Sequence, residues 1–215
     1  MNIAVLSDFD GTIINIDSCE FVLANFADSE WKIYDQKYRD NVISLEEAMR
    51  KQFDLIKTSK EKILDKLDEV VSFRPHFITL VDLCQNEGIP LVIVSAGLDF
   101  IISHFLEKQG LHRIIKVVSA SSTITDSGIT LSFPELYDYS SNNFKDDLVK
   151  RFQNEGFLVA YLGDGSSDLT AAKIADLTFA VKDSYLARTL QLEGESIFEF
   201  TNFQEIVNEI QWLLG

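Results

Sequence analysis

The apolar positions of this chain fall into short runs separated by longer stretches with helical spacing. Residues 2–7 are apolar from Ile3 to Leu6 and end at polar residues, the mark of a buried strand. Residues 89–94, 114–118, 157–162 and Leu177–Val181 read the same way. Helical periodicity marks residues 77–86, 98–109, Phe144–Asn154 and 169–175, and Gly88, Gly110 and Gly156 stand where glycine ends a helix. Phe203–Leu214 predicts a closing amphipathic helix. Residues 121–133 alternate around Asp126-Ser127-Gly128, which predicts a β-hairpin. Strands that alternate with helices predict an α/β fold, a Rossmann-like, doubly wound parallel sheet.

Residues 18–72 have a different character. They are rich in helix formers and lack strand-like alternation, with Ser44-Leu45-Glu46-Glu47 and Ser59-Lys60-Glu61-Lys62 as helix starts. Arg74-Pro75 closes the stretch, because proline disfavours helical backbone at the residue before it. The expectation is a small helical insertion, residues 15–74, in a core built from residues 1–14 and 75–215.

Composition narrows the function. With 215 residues, 46% of them hydrophobic, the chain can bury a sizeable core. No apolar run reaches the roughly 18 residues of a membrane span. The apolar start lacks a basic flank and soon meets Asp8, which argues against a signal peptide. Cys19 and Cys84 follow no metal or redox spacing, as expected of reduced residues in a cytoplasmic protein. The net charge of -15 excludes nucleic acid as a partner. An anionic substrate would need local positive charge from a metal ion, a lysine or backbone N–H groups. Length and charge leave the oligomeric state open.

Ligands of doubly wound sheets bind beyond the carboxyl ends of the strands. At three such ends stand Asp8 and Asp10, then Ser95, then Asp164. Asp8 and Asp10 lie two apart and share a face of extended chain. Two adjacent carboxylates raise each other's pKa, and a hard cation such as Mg²⁺ relieves this, with Asp164 as a further oxygen ligand. A carboxylate can attack phosphorus, and a second one nearby can protonate the leaving alcohol. Ser95, with the N–H groups of Ala96 and Gly97 at the start of the following helix, suits a phosphate oxygen. Lys145 opens another helix, from which it can bridge phosphate and Asp8. Asp164 and Asp168 are four apart and would share a face of a helix beginning there. Each of these residues has an ordinary explanation when taken alone: a turn, a cap or a solvated side chain. Only their joint occurrence points to phosphoryl chemistry. His76, His104 and His112 have no ligand spacing.

Asp8-Phe9-Asp10-Gly11-Thr12 resembles the first motif of the haloacid dehalogenase superfamily. Ser95-Ala96-Gly97, Lys145 and Gly163-Asp164-Gly165-Ser166-Ser167-Asp168 resemble its second, third and fourth motifs, and together they span nearly the whole chain. The insertion resembles the type C1 cap of the branch that contains phosphoserine phosphatase. The resemblance implies Asp8 as nucleophile, Asp10 as acid and base, and Mg²⁺ held by Asp8, the backbone carbonyl of Asp10 and Asp164. It implies that Ser95 and Lys145 hold the phosphate, and that Asp168 orients Lys145 or a metal-bound water on the substrate side. Phosphoserine phosphatases carry a glutamate where this chain has Asp17 and a cap arginine where it has Gln52, with Arg50 and Lys51 as possible substitutes. Phe26-Ala27-Asp28-Ser29-Glu30-Trp31, Lys51-Gln52-Phe53-Asp54-Leu55 and Gly97-Leu98-Asp99-Phe100 resemble the methionine-salvage phosphatases instead. The cysteine-rich segment of some of those proteins is missing, and the 121–133 hairpin stands in its region.

The expected activity is hydrolysis of a small phosphorylated metabolite through an aspartyl-phosphate. Phosphoserine as substrate, phosphotransfer to another acceptor, and a non-catalytic binding protein of the same fold are the alternatives.

Overall fold

A computed structural model describes residues 2–125 and 128–215. Its centre is a seven-stranded sheet. In chain order the strands are β1 (Ile3–Ser7), β2 (Leu91–Leu98), β3 (Lys116–Thr125), β4 (Gly128–Ser132), β5 (Leu158–Gly163), β6 (Leu177–Val181) and β7 (Phe198–Phe200). Their spatial order is β4-β3-β2-β1-β5-β6-β7, parallel throughout except for the antiparallel β3–β4 pair.

Four helices lie between β1 and β2 in the inserted stretch: α1 (Ser18–Phe26), α2 (Trp31–Arg39), α3 (Leu45–Phe53) and α4 (Lys60–Asp68). Ser44 and Ser59 cap α3 and α4 by accepting N–H bonds from Glu47 and Lys62. The two ends of the stretch run side by side. Ile14 bridges Phe73, Asn15 N–H donates to the Ser72 carbonyl at 3.0 Å, and Arg74 N–H donates to the Ile13 carbonyl at 2.8 Å. The other helices are α5 (Phe77–Glu87), α6 (Asp99–Lys108), α7 (Phe144–Asn154), α8 (Leu169–Ile174), α9 (Tyr185–Glu193) and α10 (Phe203–Leu214).

The double winding follows from strand alternation. Ile3 and Val5 share a core cluster with Leu80 of α5, Ile101 of α6, and Phe203 and Ile206 of α10. Leu6 turns to the opposite face and packs with Leu148 of α7, Ala171 of α8 and Leu186 of α9. Val22, Met49, Phe53 and Ile63 of the insertion join the first cluster. Burying a side chain of this size stabilises the fold by roughly 1.5–3 kcal/mol, so the insertion is bound to the core by more than its linkers.

Several elements differ from the sequence expectation. The second strand runs on to Leu98, with a register shift between Ser95 and Leu98, and α6 starts only at Asp99. The N–H groups of Ala96 and Gly97 are therefore not at a helix start; they belong to an irregular strand end. The third strand and the first arm of the hairpin are one continuous strand, β3. The predicted hairpin turn at Asp126 and Ser127 lies outside the described residues. Helix α9 and the three-residue β7 were not foreseen. The capping serine Ser184 and the spacing of Leu186, Ala187 and Leu190 signal α9, whereas β7 is too short to leave a pattern.

Candidate active site

Asp8 stands one residue beyond β1, and its backbone N–H donates to the Leu162 carbonyl of β5 at 2.9 Å. The level ends of β1 and β5, with Ser7 beside Leu162, bring Asp8 close to Asp164. Between them the chain needs Gly11. Its φ is +68°, and a Cβ there would overlap the Asp164 carboxylate. Thr12 Oγ1 donates to Asp164 Oδ1 at 3.0 Å, tying the two loops together. Arg74 reinforces the first loop from behind, its Nη2 and Nε reaching the Gly11 and Thr12 carbonyls at 2.6 and 2.8 Å.

Asp10 is held from two sides. Its Oδ1 accepts the N–H of Ser18, the first residue of α1, at 2.9 Å. Its other oxygen lies against Gly97, where a Cβ would overlap it. Ser95 is buried, and its Oγ accepts the Gly97 N–H at 3.0 Å.

Lys145 is fully buried, and its three ammonium protons have three partners. Nζ lies 2.7 Å from Asp168 Oδ1, 3.1 Å from Asp8 Oδ2 and 3.1 Å from Ser167 Oγ. Burial opposes its charge, yet Asp168 and Asp8 prevail and raise its pKa. Asn143 caps the helix beneath it in a reciprocal box with Asp146.

Asp168 is also fully buried. Besides Lys145 it accepts from the Tyr161 hydroxyl at 2.7 Å and from the N–H groups of Asp164 and Gly165 at 3.0 and 2.9 Å. It sits in a 3₁₀ turn, Ser166–Asp168, and does not share a helix face with Asp164. Nor does it line the cavity described next.

Asp8, Asp10, Asp17, Gln52, Ser95, Ala96, Gly97, Lys145 and Asp164 all line one cavity of about 180 Å³. Asp17 caps α1 through the Glu20 N–H. Gln52 is buried and donates to the Trp31 carbonyl at 3.3 Å. Arg50 and Lys51 are not in the lining. Trp31, an expected core or pocket position, also lines it, as do Asp35, Tyr38, Arg39 and Met49, which sequence reasoning missed; all five come from α2 and α3. Burial raises the pKa of Tyr38, with Ser166 on the same cavity wall opposing the shift. Arg39 Nε is paired with Asp35 Oδ2 at 2.8 Å.

Burial pushes Asp8 from 3.8 up to about 7, with Asp168 adding to the shift and Lys145 opposing it. Burial and then Asp17 push Asp10 up to about 8. Burial and then Asp168 push Asp164 up to about 8. Buried carboxyls crowded this closely are short of positive charge. Carboxylate oxygens of Asp8, Asp164 and Asp168 lie within 4.8 Å of one another. The bonds to Lys145, Tyr161 and two backbone N–H groups occupy Asp168, which leaves Asp8 and Asp164 as the open pair. An all-oxygen donor set of this kind fits Mg²⁺. The Cys19 thiol is pushed well up by burial and then by Asp10 and Asp17, which makes it a poor nucleophile. Cys19 and Cys84 are both free, and no helix among the described residues is long and apolar enough to cross a membrane.

Comparison with known proteins places this geometry in context. The family model for haloacid dehalogenase-like hydrolases matches residues 5–173. A 2-hydroxy-3-keto-5-methylthiopentenyl-1-phosphate phosphatase of Brevibacillus brevis is 29% identical, covering 97% of this chain and 96% of its own. A protein of the same name from Bacillus cereus is 28% identical, covering 100% of this chain and 98% of its own. Among solved structures, a substrate-bound phosphoserine phosphatase complex superposes with a TM-score of 0.72 at 20% identity, covering 97% of this chain and 98% of the other. That likeness is one of fold.

Proposed function

The chain belongs to the haloacid dehalogenase-like hydrolase family, and within it we propose a Mg²⁺-dependent phosphohydrolase that acts on a small phosphomonoester with an uncharged, partly apolar leaving group. Residues 15–74 form the cap in this reading, over a core of residues 1–14 and 75–215. The observation that carries it is the buried contact of Asp8 with Lys145, 3.1 Å apart, on the wall of a cavity shared with the inserted helices.

Asp8 is the nucleophile. Its carboxylate forms a bond to phosphorus as the bond to the leaving oxygen breaks, giving an aspartyl-phosphate. Asp10, whose carboxyl is biased toward its protonated form by burial and by Asp17, gives its proton to that oxygen. Asp10 then takes a proton from the water that attacks phosphorus, and the Asp8 carboxylate is released. Lys145 stays charged throughout and balances charge on the transferred group. Ser95, on the wall of the same cavity, offers its hydroxyl to that group. The Asp8 and Asp164 carboxylates and the backbone carbonyl of Asp10 would hold Mg²⁺, which supplies charge stabilisation to the phosphoryl oxygens when bound. Asp168 holds Lys145 in place and takes no part in substrate binding.

The leaving group is read from the rest of the cavity. Leu23, Trp31, Met49 and Phe53 make its apolar wall. The charges there are Asp17, Glu20 and Asp35 against Arg39, which is already paired with Asp35. A substrate carboxylate would find no free cation among these residues, because Arg50 and Lys51 lie elsewhere. An uncharged thioether chain, as named for the Brevibacillus and Bacillus relatives, fits such a wall, and phosphoserine does not.

The test is phosphate release from methylthiopentenyl, sugar and polyol phosphates and from phosphoserine, with and without Mg²⁺. The expected result is Mg²⁺-dependent turnover that strongly favours the methylthiopentenyl phosphate and disappears in Asp8→Asn. Preference for phosphoserine would overturn the leaving-group assignment, and an active Asp8→Asn would overturn the nucleophile.

A further inference from the structure

We propose that the β3–β4 hairpin is a strut that fixes the substrate-selecting wall of the cavity, and that Arg50 is the positioning residue through which it acts. The basis is the two-sided construction of α3. Leu45, Ala48, Met49, Gln52 and Phe53 recur at helical spacing and line the cavity. Arg50, on another face, turns to the hairpin. Its Nε donates to the Leu131 carbonyl of β4 at 3.3 Å, and its guanidinium lies 5.1 Å from the Phe133 ring centre. One turn on, Gly128 meets the backbone of Asp54 so closely that a Cβ would overlap the Asp54 carbonyl. Ile129 and Leu131 are buried in the same cluster as Met49, Phe53 and Ile56.

The hairpin is itself anchored. Its first arm, β3, pairs in parallel with β2, the strand that carries Ser95. The route from Ser95 to the cavity face of α3 therefore runs through the sheet and the hairpin as well as through the two linkers of the insertion. A wall displaced by about 1 Å can cost about 100-fold in rate, so a residue that never touches substrate can set the fit.

The proposal uses the phosphohydrolase reading only as a readout. Steady-state kinetics of the full chain with Mg²⁺ would compare n-pentyl phosphate, which has an apolar tail to pack on the α3 wall, with methyl phosphate, which has none. In Arg50→Ala the KM for pentyl phosphate is expected to rise about tenfold with little change in kcat, while kcat/KM for methyl phosphate stays the same. Arg50→Lys should fall between, because lysine keeps the charge over the ring but not the planar fork. Gly128→Ala, which pushes the hairpin away without touching Arg50, should act in the same direction. Amide exchange provides a second readout: Arg50→Ala should speed exchange in α3 and leave α5 unchanged. Equal effects on both phosphates, or no effect on either, would overturn the proposal, as would unchanged exchange in α3. If the wild-type chain released no phosphate at all, the phosphohydrolase reading would fail while the exchange result still decided the strut.

Discussion

Asp168 holds Lys145 at 2.7 Å in a place closed to solvent, and the same ammonium reaches Asp8 at 3.1 Å. The carboxylate on one side anchors the cation, and the carboxylate on the other side receives it. Asp168→Asn should therefore separate anchoring from chemistry. The amide NH₂ would face a pair of neighbours that are themselves donors, either Lys145 and Tyr161 or the N–H groups of Asp164 and Gly165. Breaking a buried pair from one side costs about 3–5 kcal/mol, and a lysine displaced by about 1 Å costs about 100-fold in kcat. Urea denaturation and initial rates measure the two losses. Near-wild-type values in both would refute the anchoring role.

The acidic cluster makes metal binding and pH interdependent. Asp8, Asp10 and Asp164 are raised from 3.8 to about 7, 8 and 8. Each binds its proton more tightly folded than unfolded, so the folded state holds more protons across that interval, and stability falls as pH rises through it. Their contribution is fully present below about pH 4 and gone above about pH 8. A cation that accepts the ionised forms of Asp8 and Asp164 removes their penalty. The melting-temperature difference between protein in Mg²⁺ and protein in EDTA should thus be small at about pH 5 and larger at about pH 8. An equal difference at both values would speak against this cluster as the metal site.

The strand runs and their punctuation were legible because a buried parallel strand must be apolar along its length and must stop at a turn. This is why residues around β1, β5 and β6 were read correctly within a residue or so. The end of β2 was misread for a local reason. Ser95-Ala96-Gly97 has the composition of a turn before a helix, but the chain continues as an irregular strand and leaves α6 to start at Asp99. Asp168 was placed on the substrate side because spacing along a helix cannot show that a 3₁₀ turn folds the carboxylate back under Lys145. Tyr38 and Arg39 reach the cavity only through tertiary packing, and no local pattern announces it.

The loop before Lys145 depends on Asp147. This buried carboxylate accepts from the N–H groups of Tyr137 and Asp138 at 3.0 and 2.7 Å and from Ser141 Oγ at 3.1 Å. Asp147→Ala would strand three donors at once. At about 1–3 kcal/mol for a buried donor left unpaired, and with the exposed side of the loop able to rehydrate, the expected loss is about 2–4 kcal/mol. The mutation removes no group from the cavity, so kcat should fall by less than in Asp168→Asn. Thermal unfolding and kcat for the two variants give the comparison, and a stable Asp147→Ala protein would disprove the anchor.

Gln52 offers a gain-of-function test of substrate choice. It lines the cavity wall opposite no free cation, and its amide is spent on the Trp31 carbonyl. Gln52→Arg would bring a guanidinium to the wall, near the apolar surface of Met49 and Phe53, where the fork of an arginine pairs well with a carboxylate. Asp17, Glu20 and Asp35 would compete for the new charge, so the gain should be modest. A charge-assisted bond worth about 1.5 kcal/mol corresponds to about tenfold in kcat/KM. Phosphoserine turnover should rise by that factor while turnover of an uncharged phosphomonoester falls, since the larger side chain takes up room. If a folded Gln52→Arg protein gained nothing on phosphoserine, the missing cation would not be what excludes it, and the shape of the apolar wall would carry the selection instead.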